Sequence, residues 1–275
     1  MTGNPLQQYF RQPKIYVTLP SGGLYNKPNS IDGDVSHVPV FGMTGMDEIL
    51  LKTPDALMTG ESTARLIQSC CPTIKDPWDV SSLDTELLFS AIRIATYGNK
   101  LHVTHTCPHC STDNEYDIDL STVVDHFGKC KYNNKLQVNN FTITTKPLTY
   151  KQVTDISIQT FGLQQQLYQA TQIENTEEQK NTLKLLFEEI NKVQLDLYRN
   201  SVESVEVDGI LVDDPAHVKE WLANCDKVIV DKLKLHIDKN KTDWKIPDFP
   251  VVCENCKKES KAYIELDQSN FFVVA

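Results

Sequence analysis

Cys107-Pro108-His109-Cys110 and Cys253-Glu254-Asn255-Cys256 are two hooks of identical spacing, with 142 residues between them. Strand-like runs flank both: Leu101 to Thr106 and Glu115 to Leu120 around the first, Phe249 to Val252 and Ala262 to Leu266 around the second. Two residues between cysteines let both sulfurs face one point about 2.3 Å away while the backbone turns. Two such hairpins meeting at one tetrahedral ion make a zinc ribbon. The expected ligands are Cys107, Cys110, Cys253 and Cys256, and a closed four-sulfur site predicts one structural zinc.

If both hooks share an ion, the middle of the chain is an insertion that leaves one ribbon hairpin and returns at the other. Closing so long a loop costs about 4 to 5 kcal/mol plus a constant. Structural zinc returns about 10 to 16 kcal/mol. The ion can therefore close the loop. Disulfide pairing is the competing use of the thiols, but the N-terminus MTGNPLQQYFRQ carries no apolar signal core and no long apolar run follows. A redox Cys-x-x-Cys opens a helix after a strand, whereas these sit in hairpin turns.

Totals narrow the classes further. The 275 residues suffice for two domains, or for one with a large insertion. A net charge of −10 and a pI near 5.2 argue against a nucleic-acid binder, which must neutralise phosphates with a basic face. Cys70, Cys71, Cys130 and Cys225 lack ligand spacing, adjacent Cys70-Cys71 near a helix end read as small buried hydrophobes, and a reducing compartment fits best. The expected fold class is α+β. It comprises an N-terminal arm (1–14), an α+β region (15–100), the split ribbon (101–120 and 247–275) and a mainly helical insertion (121–246).

Local signals fill in these regions. Ile15 to Leu19 is a strand ended by Pro20-Ser21-Gly22-Gly23; without a following Gly-Lys-Ser/Thr and helix, this is a plain turn rather than a phosphate loop. Thr44 caps a short helix, Thr53-Pro54 opens another through Met58, and Glu61 to Cys71 makes a third. The strongest is 83–97, capped by Ser82 and stopped by Gly98. In the insertion, Asn139-Asn140 and Asp208-Gly209 are hairpin turns. Thr149 to Gln152 is a capping box, and Asp214-Pro215 opens a helix. Leu183, Leu186, Phe187, Ile190, Val193 and Leu197 give a long helix one apolar face. The tail Phe271 to Ala275 is read as a last ribbon strand or a hook for a neighbour.

Leu19-Pro20-Ser21-Gly22-Gly23-x-Tyr25, Thr44-Gly45-Met46-Asp47-Glu48, Pro54-Asp55-Ala56-Leu57, Cys71-Pro72, the Asp84 to Arg93 helix, Thr96-Tyr97-Gly98 and Cys107-x-x-Cys110 occur in that order. This succession resembles the baseplate proteins of T-even-type contractile-tailed phages, the hub subunits or hub assembly proteins. The resemblance covers about residues 15 to 120 and resumes at the second hook. It implies a non-enzymatic part in building the tail baseplate, with other baseplate subunits as partners. The location implied is the virion tail baseplate, and the host cytoplasm during assembly. No small-molecule substrate, nucleic acid or membrane span is expected.

Other chemistry is set aside residue by residue. His102 and His105 are taken as polar positions on one face of the strand entering the first hook, and His109 as a non-ligand inside a regular cysteine pair. Cys130 with His126 is close in sequence only. The alternative function is a zinc-ribbon module of a nucleic-acid or transcription complex, which should show a basic patch and salt-sensitive DNA binding.

Overall fold

The computed structural model describes residues 4–53, 59–173, 175–263 and Phe272. The helix expected at 54–58 and most of the apolar tail lie outside these. The fold is a mixture of helices and small antiparallel sheets, and the chain divides into two compact units, Met1–Lys131 with Trp244–Ala275, and Tyr132–Asp243.

In the first unit, β1 (Pro13–Val17) pairs antiparallel with β2 (Val38–Phe41), and α1 (Gly45–Leu51) and α2 (Glu61–Cys70) follow. Thr44 closes a capping box with Asp47 on α1. The centre of this unit is α3 (Ser82–Tyr97), in which eleven of sixteen residues are buried. It packs against β1, β2, α2 and α4 (Ser121–Lys129). Gly42 ends β2 so close to α3 that a Cβ there would stand 2.9 Å from the Ala95 carbonyl oxygen, hence only glycine fits. The N-cap of α3 is Ser81, one residue earlier than expected, because its side chain accepts from Leu83 N.

The Pro-Ser-Gly-Gly turn is anchored rather than free. Asp84, fully buried in the first turn of α3, accepts from Ser21 N at 2.9 Å, from Ser21 Oγ and from Asn26 Nδ2 at 2.9 Å. Asn26 Oδ1 in turn accepts from Ser81 N at 2.6 Å. Burial pushes the Asp84 carboxyl above its ordinary 3.8, opposed by the Ser21 and Asn26 bonds. The N-terminal arm is likewise fastened: Arg11 donates to Gly42 O and Ser69 O, both at 2.7 Å. At the other end, Phe272 is buried edge-on against Phe89, with centroids 4.8 Å apart.

Helix α4 was not legible as one, since Thr122, Val123 and Val124 are β-branched and Gly128 is a poor helix former. Burial of Val123 and Phe127 overrides propensity, and Phe127 lies near-parallel to buried Trp244 at 6.4 Å. α4 thus belongs to the first unit. The ribbon hairpins are β3 (Lys100–Thr106) with β4 (Asp113–Asp119), and β9 (Phe249–Val252) with β10 (Glu259–Ala262). β10 starts three residues earlier than the expected Ala262, because the turn closes tightly enough for pairing to resume at Glu259.

The second unit is built on a four-stranded antiparallel sheet. Its order is β5 (Lys135–Val138), β6 (Phe141–Thr145), β7 (Val202–Val207), β8 (Ile210–Val212). Both hairpin turns fall on the expected residues: Asp208-Gly209 stand at positive φ, 53° and 79°, and in the other turn Asn139 does at 54° while Asn140 does not. Val138, Ile143, Val202 and Val205 form the sheet's core face. Against it pack Val218 and Leu222 of α7 (Pro215–Asn224), with Ile229, Leu233 and Ile237 of α8 (Lys227–Asp243). Between β6 and β7 the chain makes a helical hairpin, α5 (Tyr150–Ala170) and α6 (Thr176–Asn200), around a small cluster of Leu163, Ala170 and Leu186. No described helix is long and apolar enough to cross a membrane.

Candidate metal centre

The two hooks fold by one local rule. In the first, Cys107 N donates to Thr112 O and Ser111 N to Cys107 O, both at 2.9 Å, with Ser111 at φ 56°. In the second, Cys253 N donates to Lys258 O and Lys257 N to Cys253 O, both at 3.0 Å, with Lys257 at φ 58°. Each turn thereby points two sulfurs the same way. The first cysteine of each pair is buried and the second half-buried.

The four thiols meet. Cys107, Cys110, Cys253 and Cys256 place their sulfurs within 4.8 Å of one another. The cross-hook edges Cys107–Cys256 and Cys110–Cys253 measure 3.7 and 3.6 Å. A tetrahedral four-sulfur centre with bonds of about 2.3 Å needs edges of about 3.8 Å, whereas a disulfide needs about 2.05 Å. The arrangement is that of a ribbon able to hold a metal ion. Thr112, by side chain and then backbone, pulls the Cys110 thiol down to about 6, and the Cys256 amide lowers Cys253. Cys256 receives the Lys258 amide, yet burial and the neighbouring sulfurs drive it up to about 11.

Side chains lace the two hairpins together around the sulfurs. Tyr116 OH donates to Val252 O at 3.0 Å, His105 Nε2 meets Ser260 Oγ at 3.0 Å, and Asn255 Nδ2 donates to Thr112 Oγ1 at 3.1 Å. His109 is outside the sulfur cluster and its Nε2 lies 3.3 Å from Glu259 O. His102 and His105 do not share a face, since three residues along a strand reverse the side. His102 pairs with Asp117 on the exposed side, and His105 turns toward β10. Sequence reasoning passed over Asn114, which reaches the second hook from β4. Its only signal was an amide on the face where Tyr116 and Ile118 alternate inward.

The remaining thiols have another character. Burial pushes Cys70 up to about 12 and raises Cys71 well above the ordinary thiol value, so both behave as inert core groups. Cys130 and His126 meet at 3.5 Å as neighbours one turn apart on α4, a spacing the helix imposes by itself.

No curated protein and no solved structure gives a match. The model of a family described as T4 bacteriophage base plate protein matches residues 43–273, running through both cysteine hooks and the whole segment between them. The matched range covers more than half of the chain, and the chain belongs to the T4-type phage baseplate proteins.

Proposed function

We propose that the protein is a non-enzymatic structural or assembly part of the baseplate hub, present in the tail baseplate and in the host cytoplasm while the hub is built. It docks other baseplate subunits on a scaffold stapled by one zinc ion held by Cys107, Cys110, Cys253 and Cys256. The family match from 43 to 273 carries the functional reading. Sulfur–sulfur edges of 3.7 and 3.6 Å support the zinc, since four thiolates in a tetrahedron are the donor set of closed structural sites. The ion joins the two ends of the segment between the hooks.

Peptide mass analysis of purified virions and of isolated baseplate intermediates tests the role. A hub component is expected in both, and an assembly factor in the intermediates alone; absence from both overturns the reading. Elemental analysis of the purified chain tests the staple. One zinc per chain is expected, lost in Cys253→Ser together with thermal stability, and retention of metal and stability by that variant refutes the ligand set.

A further inference from the structure

The two hooks are alike in backbone but not in what holds them. Counting seven residues from the first cysteine of each hook gives Asn114 in the first hairpin and Ser260 in the second. Both project to the opposite hairpin. Ser260 offers one bond, to His105 Nε2 at 3.0 Å. Asn114 is buried and uses both ends of its amide. Oδ1 accepts from Glu254 N at 2.9 Å, and Nδ2 donates to Thr112 O at 2.9 Å and lies 3.5 Å from Cys253 Sγ. One side chain therefore ties its own hook's turn to the backbone and the sulfur of the other hook, 140 residues away in sequence.

We infer that Asn114 is the positioning residue of the centre: it seats the second hook on the first hairpin, so the four sulfurs are gathered before an ion enters. The inference rests on the reading that these cysteines hold one metal. Its physical basis is the cost of an unmet buried amide. Asn114 is 5% exposed and Cys253 has no exposed surface, so water does not stand in for the amide beside that sulfur. The thiolate bond adds a second effect, because an N–H donor aimed at Cys253 Sγ withdraws charge from that sulfur and weakens its donation to the ion. The second hook answers with Asn255, whose Nδ2 donates to Thr112 Oγ1 at 3.1 Å and lies 3.8 Å from Cys110 Sγ, but Asn255 is exposed whereas Asn114 is buried.

Cobalt(II) titration of the full chain, Asn114→Ala, Asn114→Asp and Ser260→Ala tests this, with circular dichroism checking the fold of each. Wild type is expected to give an intense thiolate-to-cobalt charge-transfer band. Asn114→Ala should bind about 10- to 100-fold more weakly with the band displaced to lower energy, and Ser260→Ala within about threefold, its band in place. Asn114→Asp keeps the acceptor for Glu254 N–H and loses both donors, so its band should move with that of Asn114→Ala even where the alanine variant folds poorly. Equal affinity and an unmoved band in both Asn114 variants overturn the positioning role while the metal reading stands. Equal losses in Ser260→Ala also overturn it, by showing that any inter-hairpin bond counts alike. Failure of wild type to bind cobalt overturns the metal reading itself and this inference with it.

Discussion

Helices α3 and α6 carry the same sequence signal, apolar residues recurring at three- and four-residue steps, yet they live in different surroundings. Eleven of the sixteen residues of α3 are buried, whereas of the 25 residues of α6 only Leu186 is. The difference lies in the number of partners. α3 is enclosed by two strands and two helices, while α6 along most of its length has α5 alone, and Leu185 and Phe187 stay more than half exposed. Periodicity predicts that a helix forms, but how much free energy its stripe contributes depends on what covers it.

Breaking the buried helix should show the largest effect. Leu88, with no exposed surface, fills the centre of the first unit. Leu88→Ala is expected to lower the unfolding free energy by about 2 to 5 kcal/mol, through lost transfer energy plus the cavity left behind, measured by urea denaturation. Next comes the polar anchor at the start of α3. Asp84→Ala leaves Ser21 N, Ser21 Oγ and Asn26 Nδ2 without their acceptor and should cost about 1 to 3 kcal/mol. Because burial raises the Asp84 pKa above 3.8, the folded chain keeps this proton to higher pH than the unfolded chain does. Its contribution is therefore full below 3.8 and is lost as pH rises through the folded value. The gap in melting temperature between wild type and Asp84→Ala should narrow from acid toward neutral pH. The smallest effects belong to the helical hairpin. Leu186→Ala should loosen α5 and α6 locally, seen as faster amide exchange there. Phe187→Ala, on the open side, should stay within about 0.5 kcal/mol of wild type.

How far each region could be read from sequence follows from the range of the forces involved. Short-range rules were enough for the cap at Thr44, the capping box at Thr149, the Asn139-Asn140 and Asp208-Gly209 turns, and the stop at Gly98. The paired hooks were legible because two residues of spacing already aim both sulfurs. Long-range terms were not. Helix α4 exists because Phe127 and Val123 find a core, Arg11 is fastened by carbonyls at positions 42 and 69, and Asn114 acts on a turn 140 residues further along. None of these partners leaves a mark near the residue itself. The misplacement of His102 and His105 is of another kind, an error of strand parity that the period of two already corrects.

Strands β6 and β7 bond directly, from Phe141 opposite Val207 to Thr145 opposite Val202, although the helical hairpin intervenes between them in the chain. Its root is thus clamped by a ladder indifferent to what hangs beyond it. Inserting or deleting matched turns in both helices, about 5.4 Å each, would alter the reach of this arm while leaving the sheet's register untouched. Spacing to a neighbour can in this way be retuned in steps without redesigning the body that carries it.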